Sequence, residues 1–188
     1  MKFLPSEAWN WSYGQSNDST YLIMNLVGDN NTPYIFSTLF KKDDLCNEIA
    51  PKANQVFCVE DATLLAAFQD GLYSINLLND AQCVEIALNA VACARFARIT
   101  NPVSAYFEKA TQPEIISRGQ VVTLYATDGA VGDFIVLDDE PTDGVYRLML
   151  VNDEFTIYGY TLKIGHMVRV SGDRINEFRL KHKKARYA

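Results

Sequence analysis

The side chains that could carry acid–base or metal chemistry are few in this sequence and lie far apart along it. The two histidines are His166, next to a glycine, and His182, near the end of the chain. Acidic residues such as those at 138–140 and 153–154 lie among turn residues, which the turn preference of Asp explains. A catalytic triad or a zinc site needs several such groups in a recognisable pattern. We therefore expect no catalytic residue, metal or cofactor, with a cation site on the run at 138–140 as the alternative.

The sequence also contains no recognisable motif for nucleotide binding or for thiol chemistry. Neither the GxxxxGK[ST] phosphate loop nor the GxGxxG fingerprint occurs in the sequence. The four cysteines, Cys46, Cys58, Cys83 and Cys93, have neither the CxxC spacing of a zinc site nor the density of a disulfide framework. We expect free thiols, two of them serving as small apolar residues on a buried helix.

The clearest structural signal is an apolar helix over about residues 79–98. Between Val84 and Ala97 the apolar residues cover nearly the whole circumference, which is typical of a helix inside a core. Asn79 and Gln82 form the pattern of an N-cap with a capping box, and residues 100–102 end the pattern. The rest of the first half should be organised around this helix.

A second helix and three strands are predicted before it. Apolar residues at three- and four-residue spacing over 64–72 indicate an amphipathic helix, which we expect to end at Gly71. Strands are expected at 8–14, 21–26 and 34–36, forming an antiparallel meander. Residues 1–108 are thus predicted to form an N-terminal α/β domain, a meander packed on a helix pair.

The second half of the sequence has a different pattern of apolar and turn residues, which predicts a second domain. Five short β-rich runs recur about every ten residues, separated by turn residues. This spacing predicts a small barrel or rolled sheet at 109–172. Residues 173–188 are predicted to be a basic, flexible tail. The fold class is therefore α+β.

Composition and charge narrow the classes of function. Apolar residues make up 48% of the chain, and no stretch is long enough to span a membrane or to act as a signal peptide, so we expect a cytoplasmic protein. The net charge is −6 although six of the seventeen basic residues lie in 174–188, so the body is strongly acidic. An acidic body disfavours binding to duplex nucleic acid.

The aromatic residues of the β-rich half leave one alternative open. In an OB- or SH3-like barrel they could stack the bases of single-stranded nucleic acid, or contact another protein. Without a basic groove around them, we expect packing and cross-strand contacts instead. The residues concerned are Tyr125, Phe134, Tyr146, Phe155, Tyr158 and Tyr160.

Arg95 and Arg98 lie in the last turn of the predicted central helix. Cations there compensate the helix dipole, which is the reading that the sequence alone favours. Beside an apolar groove, the same two guanidinium groups would instead bind an acidic peptide.

An ordered set of short segments resembles the ZapC family of Z-ring-associated bacterial cell-division proteins. The segments span about residues 8–178: Trp9-Asn10-Trp11, Phe57-Cys58-Val59-Glu60-Asp61-Ala62, Asn76-Leu77, Leu88-Asn89-Ala90, Arg95-Phe96 and Gly172-Asp173-Arg174. The resemblance implies an N-terminal α/β domain joined to a small C-terminal twisted β-barrel-like domain. It also implies a non-enzymatic, monomeric protein that binds the tubulin-like GTPase FtsZ, bundles its protofilaments and stabilises the Z ring at midcell.

The resemblance also implies a site for the partner. FtsZ ends in a short, largely apolar peptide after a flexible linker, so a pocket with a cationic rim would suit it. On this basis the partner-binding residues are expected to be Met24, Arg95 and Arg98, with Phe36, Phe40, Leu65 and Phe68 as pocket walls.

Overall fold

The computed structural model describes residues 5–28, 31–110 and 115–179, and its fold is α+β as predicted. The N-terminal sheet has the order β3-β2-β1-β4 and is antiparallel throughout. Its strands are β1 (Asn10–Ser16), β2 (Ser19–Val27), β3 (Pro33–Lys41) and β4 (Gln55–Val56). The meander is therefore confirmed, but β3 is much longer than the predicted 34–36.

Two helices pack against this sheet. Helix α1 runs over Val59–Ser74 and α2 over Asp80–Phe96. Helix α2 begins as predicted, because the Asn79 side chain accepts a hydrogen bond from the Gln82 backbone N–H while the Gln82 side chain accepts one from the Asn79 N–H. The buried Asn89 joins α2 to the edge strand β3: its Oδ1 accepts from the Leu39 N–H at 2.8 Å.

The sequence predicts that α1 ends at Gly71, but the helix continues for three more residues. Gly71 lies where the helix meets the loop before the second sheet, and a Cβ there would overlap the carbonyl oxygen of Gly119. The absence of a side chain thus serves close packing between two backbones, and not helix termination.

The second half forms an open sheet, and not a closed barrel, within the described residues. The order is β10-β7-β6-β5-β11, so the two outermost strands do not pair with each other. The strands are β5 (Val121–Tyr125), β6 (Val131–Val136), β7 (Val145–Leu150), β10 (Met167–Ser171) and β11 (Asn176–Glu177). The fourth of the five predicted runs, 155–160, is instead part of a separate hairpin of β8 (Glu154–Ile157) and β9 (Tyr160–Lys163) that covers one face of this sheet.

The central strands of this sheet are buried on both faces. Val121, Ile135 and Met149 belong to the core around the helices, whereas Leu124 and Phe134 belong to a second core beneath the hairpin. Arg147 fastens the sheet to α2, donating from Nη1 to the Ala94 carbonyl at 3.0 Å while Nε and Nη2 bind Asp138. Helix α2 therefore contacts α1 and a strand of each sheet, which explains its apolar circumference.

These contacts cross the predicted boundary at residue 108, so the main core draws on both halves of the chain. The division into two separable domains stays a prediction. Of the predicted tail 173–188, residues 176–177 form β11, which pairs with β5, and residues 180–188 lie outside the described part of the chain.

Candidate peptide-binding groove

A groove runs along the seam between the two sheets. It consists of two adjoining chambers of about 360 and 370 Å³, which share Thr100, His166 and Met167. We call the first the charged chamber; it is lined by the ends of β3 and α2 and by the β9–β10 turn. We call the second the aromatic chamber; it is lined by the connection at residues 100–107 and by the β8–β9 hairpin.

Arg98 stands at the mouth of the charged chamber because α2 ends abruptly. Ala97 adopts extended backbone angles and forms a β-bridge with Leu45, and the Arg98 N–H then donates to the Asp44 carbonyl at 2.9 Å. The Arg98 side chain is exposed, and no carboxylate of the described residues lies within ion-pair distance of its guanidinium. Its charge is thus available to a ligand.

The opposite wall is the tight turn between β9 and β10. Gly165 has φ +84° and donates its N–H to the Leu150 carbonyl at 3.0 Å. A Cβ at Gly165 would lie only 2.6 Å from Leu39 Cδ1, so the turn rests directly on β3. Leu39 is itself partly exposed and supplies apolar surface beside Arg98.

His166 lies where the two chambers meet. Burial lowers the pKa of its imidazole, and the negative charge of Asp44 partly opposes that shift. Asp43, Asp44, Arg98 and Lys163 are the charged residues that line the same chamber. The junction therefore offers an imidazole whose ring nitrogens can form hydrogen bonds with a ligand.

Three exposed tyrosines form the rim of the aromatic chamber: Tyr106, Tyr158 and Tyr160. The Tyr106 and Tyr158 rings lie 5.7 Å apart in a tilted arrangement. Apolar side chains form the walls, chiefly Val103, Phe107, Ile157 and Leu162. Tyrosine rings around an apolar cleft are typical of surfaces that bind other proteins.

Tyr158 is held in an unusual backbone conformation. Its φ is +48° and that of Gly159 is +79°, so the two residues make the tight turn of the β8–β9 hairpin. The turn is clamped to the neighbouring β5–β6 turn: the Tyr158 N–H donates to Asp128 Oδ2 at 2.7 Å, and its hydroxyl lies 2.6 Å from Thr127 Oγ1. The hydrogen bonds from the Tyr158 and Ala130 N–H groups lower the pKa of Asp128.

The structure brings together only some of the residues predicted for the site. Arg98 and Phe40 line the charged chamber. Met24, Leu65 and Phe68 are buried core residues, and Phe36 is half-buried against the same core. Arg95 makes ion pairs with Glu60 and Asp61. The partner-binding roles of all seven stay predictions, and only Arg98 and Phe40 have a place in the groove.

Sequence reasoning missed the aromatic chamber. The sequence predicts packing and cross-strand contacts for Tyr158 and Tyr160, but both rings are exposed on the outer hairpin, Tyr160 to 76%. The signal that could have found them is the Tyr-Gly-Tyr sequence at 158–160, because a two-residue turn containing Gly presents its flanks to solvent. Within residues 5–28, 31–110 and 115–179, no cluster of His, Cys, Asp and Glu could hold a metal ion.

The fold and the groove define an α+β protein with a preformed cleft between two sheets, and no helix in the described part of the chain could cross a membrane. Residues 2–98 match the family described as "Cell-division protein ZapC, N-terminal". The chain belongs to this family, and its role is in cell division.

Curated relatives match along nearly the whole chain. The cell division protein ZapC of Aeromonas hydrophila is 27% identical over 178 residues, covering 94% of this chain and 93% of its own length. The proteins of the same name from Musicola paradisiaca and Vibrio cholerae are 25% and 26% identical, covering 93% and 92% of this chain and 89% and 91% of their own lengths. The similarity therefore includes the second sheet and the groove.

Proposed function

We propose that this protein is a non-enzymatic, cytoplasmic cell-division factor that binds FtsZ at midcell, promotes lateral bundling of its protofilaments and stabilises the Z ring. Membership of the ZapC family supports the role in division. The observation that carries the binding proposal is the charged chamber, where the Arg98 guanidinium, with no carboxylate partner among the described residues, shares the lining with the exposed apolar side chain of Leu39. The proposed ligand is the C-terminal peptide of FtsZ.

A site of this kind suits a tethered peptide. A groove contact gives modest affinity, and many copies of the peptide along one filament add avidity. Lateral bundling further requires that one particle contact two filaments. Because we propose a monomer, a second FtsZ-facing surface on the same chain would complete the cross-link, and light scattering of the purified protein checks its mass.

The test is co-sedimentation with GTP-assembled FtsZ, run beside FtsZ that lacks its C-terminal peptide. We expect the protein to pellet with intact FtsZ and to stay in the supernatant with the truncated form. Arg98→Glu should strongly reduce the pelleted fraction, because it replaces the free cation by an anion. Arg179→Glu is the matched control, since Arg179 is also exposed but lines neither chamber.

Two results would contradict the proposal in different ways. Equal pelleting with intact and truncated FtsZ would place the contact on the FtsZ globular core. Equal pelleting of the Arg98→Glu and Arg179→Glu variants would show that the charged chamber does not contact FtsZ. Met24→Pro is not a useful probe, because Met24 is a buried residue of the central strand β2 and proline there would disrupt the sheet.

A further inference from the structure

The two chambers of the groove are chemically different and lie side by side. The charged chamber offers an unpaired guanidinium, and the aromatic chamber offers tyrosine rings around an apolar floor. Three residues, Thr100, His166 and Met167, line both. The two chambers therefore adjoin at these three residues, and one extended peptide lying over them would reach both chambers.

We propose that the groove binds one extended peptide at two points, with a carboxylate at Arg98 in the charged chamber and a large apolar side chain among the tyrosines of the aromatic chamber. This inference rests on the proposed function, and it defines which chemistry of the partner segment is recognised. The occupant is a segment of the partner in which an acidic residue and a large apolar residue are separated by a short spacer.

Charge complementarity specifies the first point. Among the described residues, Lys163 of the same chamber is already paired with Glu154, whereas Arg98 pairs with no carboxylate. A guanidinium and a carboxylate form paired, charge-assisted hydrogen bonds, and apolar surface beside them strengthens the attraction by excluding water. The acidic residue of the ligand therefore belongs beside Arg98.

The construction of the hairpin specifies the second point. Tyr158 keeps a positive φ because its N–H, hydroxyl and ring are all engaged, by Asp128, Thr127 and Tyr106 respectively. Non-glycine residues held in this conformation are frequent at binding sites. The clamp fixes one wall of the aromatic chamber and leaves the Tyr160 ring, 76% exposed, free to cover an apolar side chain.

The aromatic chamber favours a peptide over a nucleic acid strand. Single-stranded nucleic acid needs cations near the stacked bases, and no Lys or Arg lines this chamber in the described part of the chain. Its polar groups are hydroxyls, an amide and the imidazole of His166, which hydrogen-bond to the backbone of an extended peptide.

The experiment is a fluorescence anisotropy titration of a labelled peptide from the FtsZ C-terminus with the full-length protein. Tyr160→Ala should weaken binding about tenfold or more, as expected when a tyrosine hot spot is truncated. Tyr73→Ala is the matched control, because Tyr73 is also exposed but lies on α1 away from both chambers, and its affinity should equal that of the wild type.

A double-mutant comparison assigns each chamber its ligand group. Replacing the apolar residue of the peptide by Ala should add little to the effect of Tyr160→Ala, and replacing its acidic residue by Asn should add little to the effect of Arg98→Ala. The effect of Arg98→Ala should shrink in high salt, while the effect of Tyr160→Ala should persist.

The experiment distinguishes failure of the proposed function from failure of the two-point proposal. If the wild type binds neither the peptide nor FtsZ filaments, the proposed function fails. If the wild type binds but Tyr160→Ala binds as tightly as Tyr73→Ala, only the two-point proposal is overturned. Binding of a labelled oligothymidine that is lost in Tyr160→Ala but kept in Tyr73→Ala would assign the aromatic chamber to nucleic acid and overturn it as well.

Discussion

Asp61 and Arg95 face each other between the two helices, with Asp61 Oδ1 2.9 Å from Arg95 Nε. The two atoms are not aligned for a hydrogen bond, so their contact is ionic. The other oxygen of Asp61 accepts hydrogen bonds from Trp11 Nε1 at 3.1 Å and from the Cys58 N–H at 3.0 Å. One buried carboxylate thus joins β1, the start of α1 and the end of α2.

Asp61→Ala should lower the free energy of unfolding by about 3–5 kcal/mol, because it leaves the Arg95 charge and the Trp11 N–H without their buried partner. Glu60→Ala is the matched control: Glu60 pairs with the same arginine but is largely exposed, so its loss should cost less than about 1 kcal/mol. Urea unfolding followed by tryptophan fluorescence measures both, since Trp9 and Trp11 are buried. Equal costs would show that burial of the carboxylate is not what matters.

Gly71→Ala should destabilise the protein by about 2 kcal/mol or more, because the new methyl group overlaps the Gly119 carbonyl. Helix propensity alone predicts the opposite sign, a gain of about 1 kcal/mol. Ala66→Gly, at an exposed position of the same helix, measures the effect of helix propensity alone on the free energy of unfolding. A stabilised Gly71→Ala protein in thermal or urea unfolding would show that α1 and the loop at Gly119 are not in contact.

The cysteines should divide into two reactive and two protected thiols. Cys46 and Cys58 are partly exposed, whereas Cys83 and Cys93 are buried. Burial raises the pKa of the Cys93 thiol to about 12, so almost no thiolate forms at neutral pH. Mass spectrometry after maleimide treatment should find adducts on Cys46 and Cys58 in the native protein and on all four cysteines in denaturant. A Cys46→Ser, Cys58→Ser double variant should remain unlabelled until it is unfolded.

His166 should make stability depend on pH in the weakly acidic range. Its pKa is lowered from 6.5 in the folded protein, chiefly by burial, so the unfolded chain takes up a proton first as the pH falls. The contribution to stability is present above pH 6.5 and is lost as the pH falls through the folded pKa. Relative to His166→Gln, the wild type should therefore lose unfolding free energy below about pH 6.5. Parallel curves for the two proteins would contradict this assignment.

The helix at the centre of the fold could be predicted because its signals are local. Asn79 and Gln82 mark its start, and the apolar residues of α2 identify it as buried whatever covers it. The end of α1 could not be predicted, because Gly71 is required by a contact with Gly119, which lies far along the chain. The same glycine would end a helix in most other surroundings.

The groove is the part that the sequence could not reveal. Its walls come from three separate regions, residues 39–44, 97–107 and 157–168, and only folding brings them together. Arg98 was identified because it is a cation next to a helix end. Its difference from Arg95 appears only in three dimensions, since Arg95 is neutralised by Glu60 and Asp61 while Arg98 has no carboxylate partner among the described residues.

The pattern of short strands also could not reveal that the second sheet is open. Strands β5 to β7 are largely buried on both faces, so their apolar residues do not follow the regular alternation of a barrel wall. The hairpin of β8 and β9 covers one face and the helices cover the other. Closure into a barrel is therefore not needed to shield the apolar residues.

Backbone hydrogen bonds hold the walls of the groove in place, and this has a kinetic consequence. Examples are the bonds from the Gly165 N–H to the Leu150 carbonyl and from the Arg98 N–H to the Asp44 carbonyl. The conformational entropy of ordering these walls is lost once, when the chain folds, and no further ordering of them is required when a ligand arrives. A flexible peptide can then associate rapidly through a modest contact and dissociate just as readily. On the proposed function, cross-links of this kind would hold filaments together collectively while each one exchanges, so that a bundle would be able to remodel.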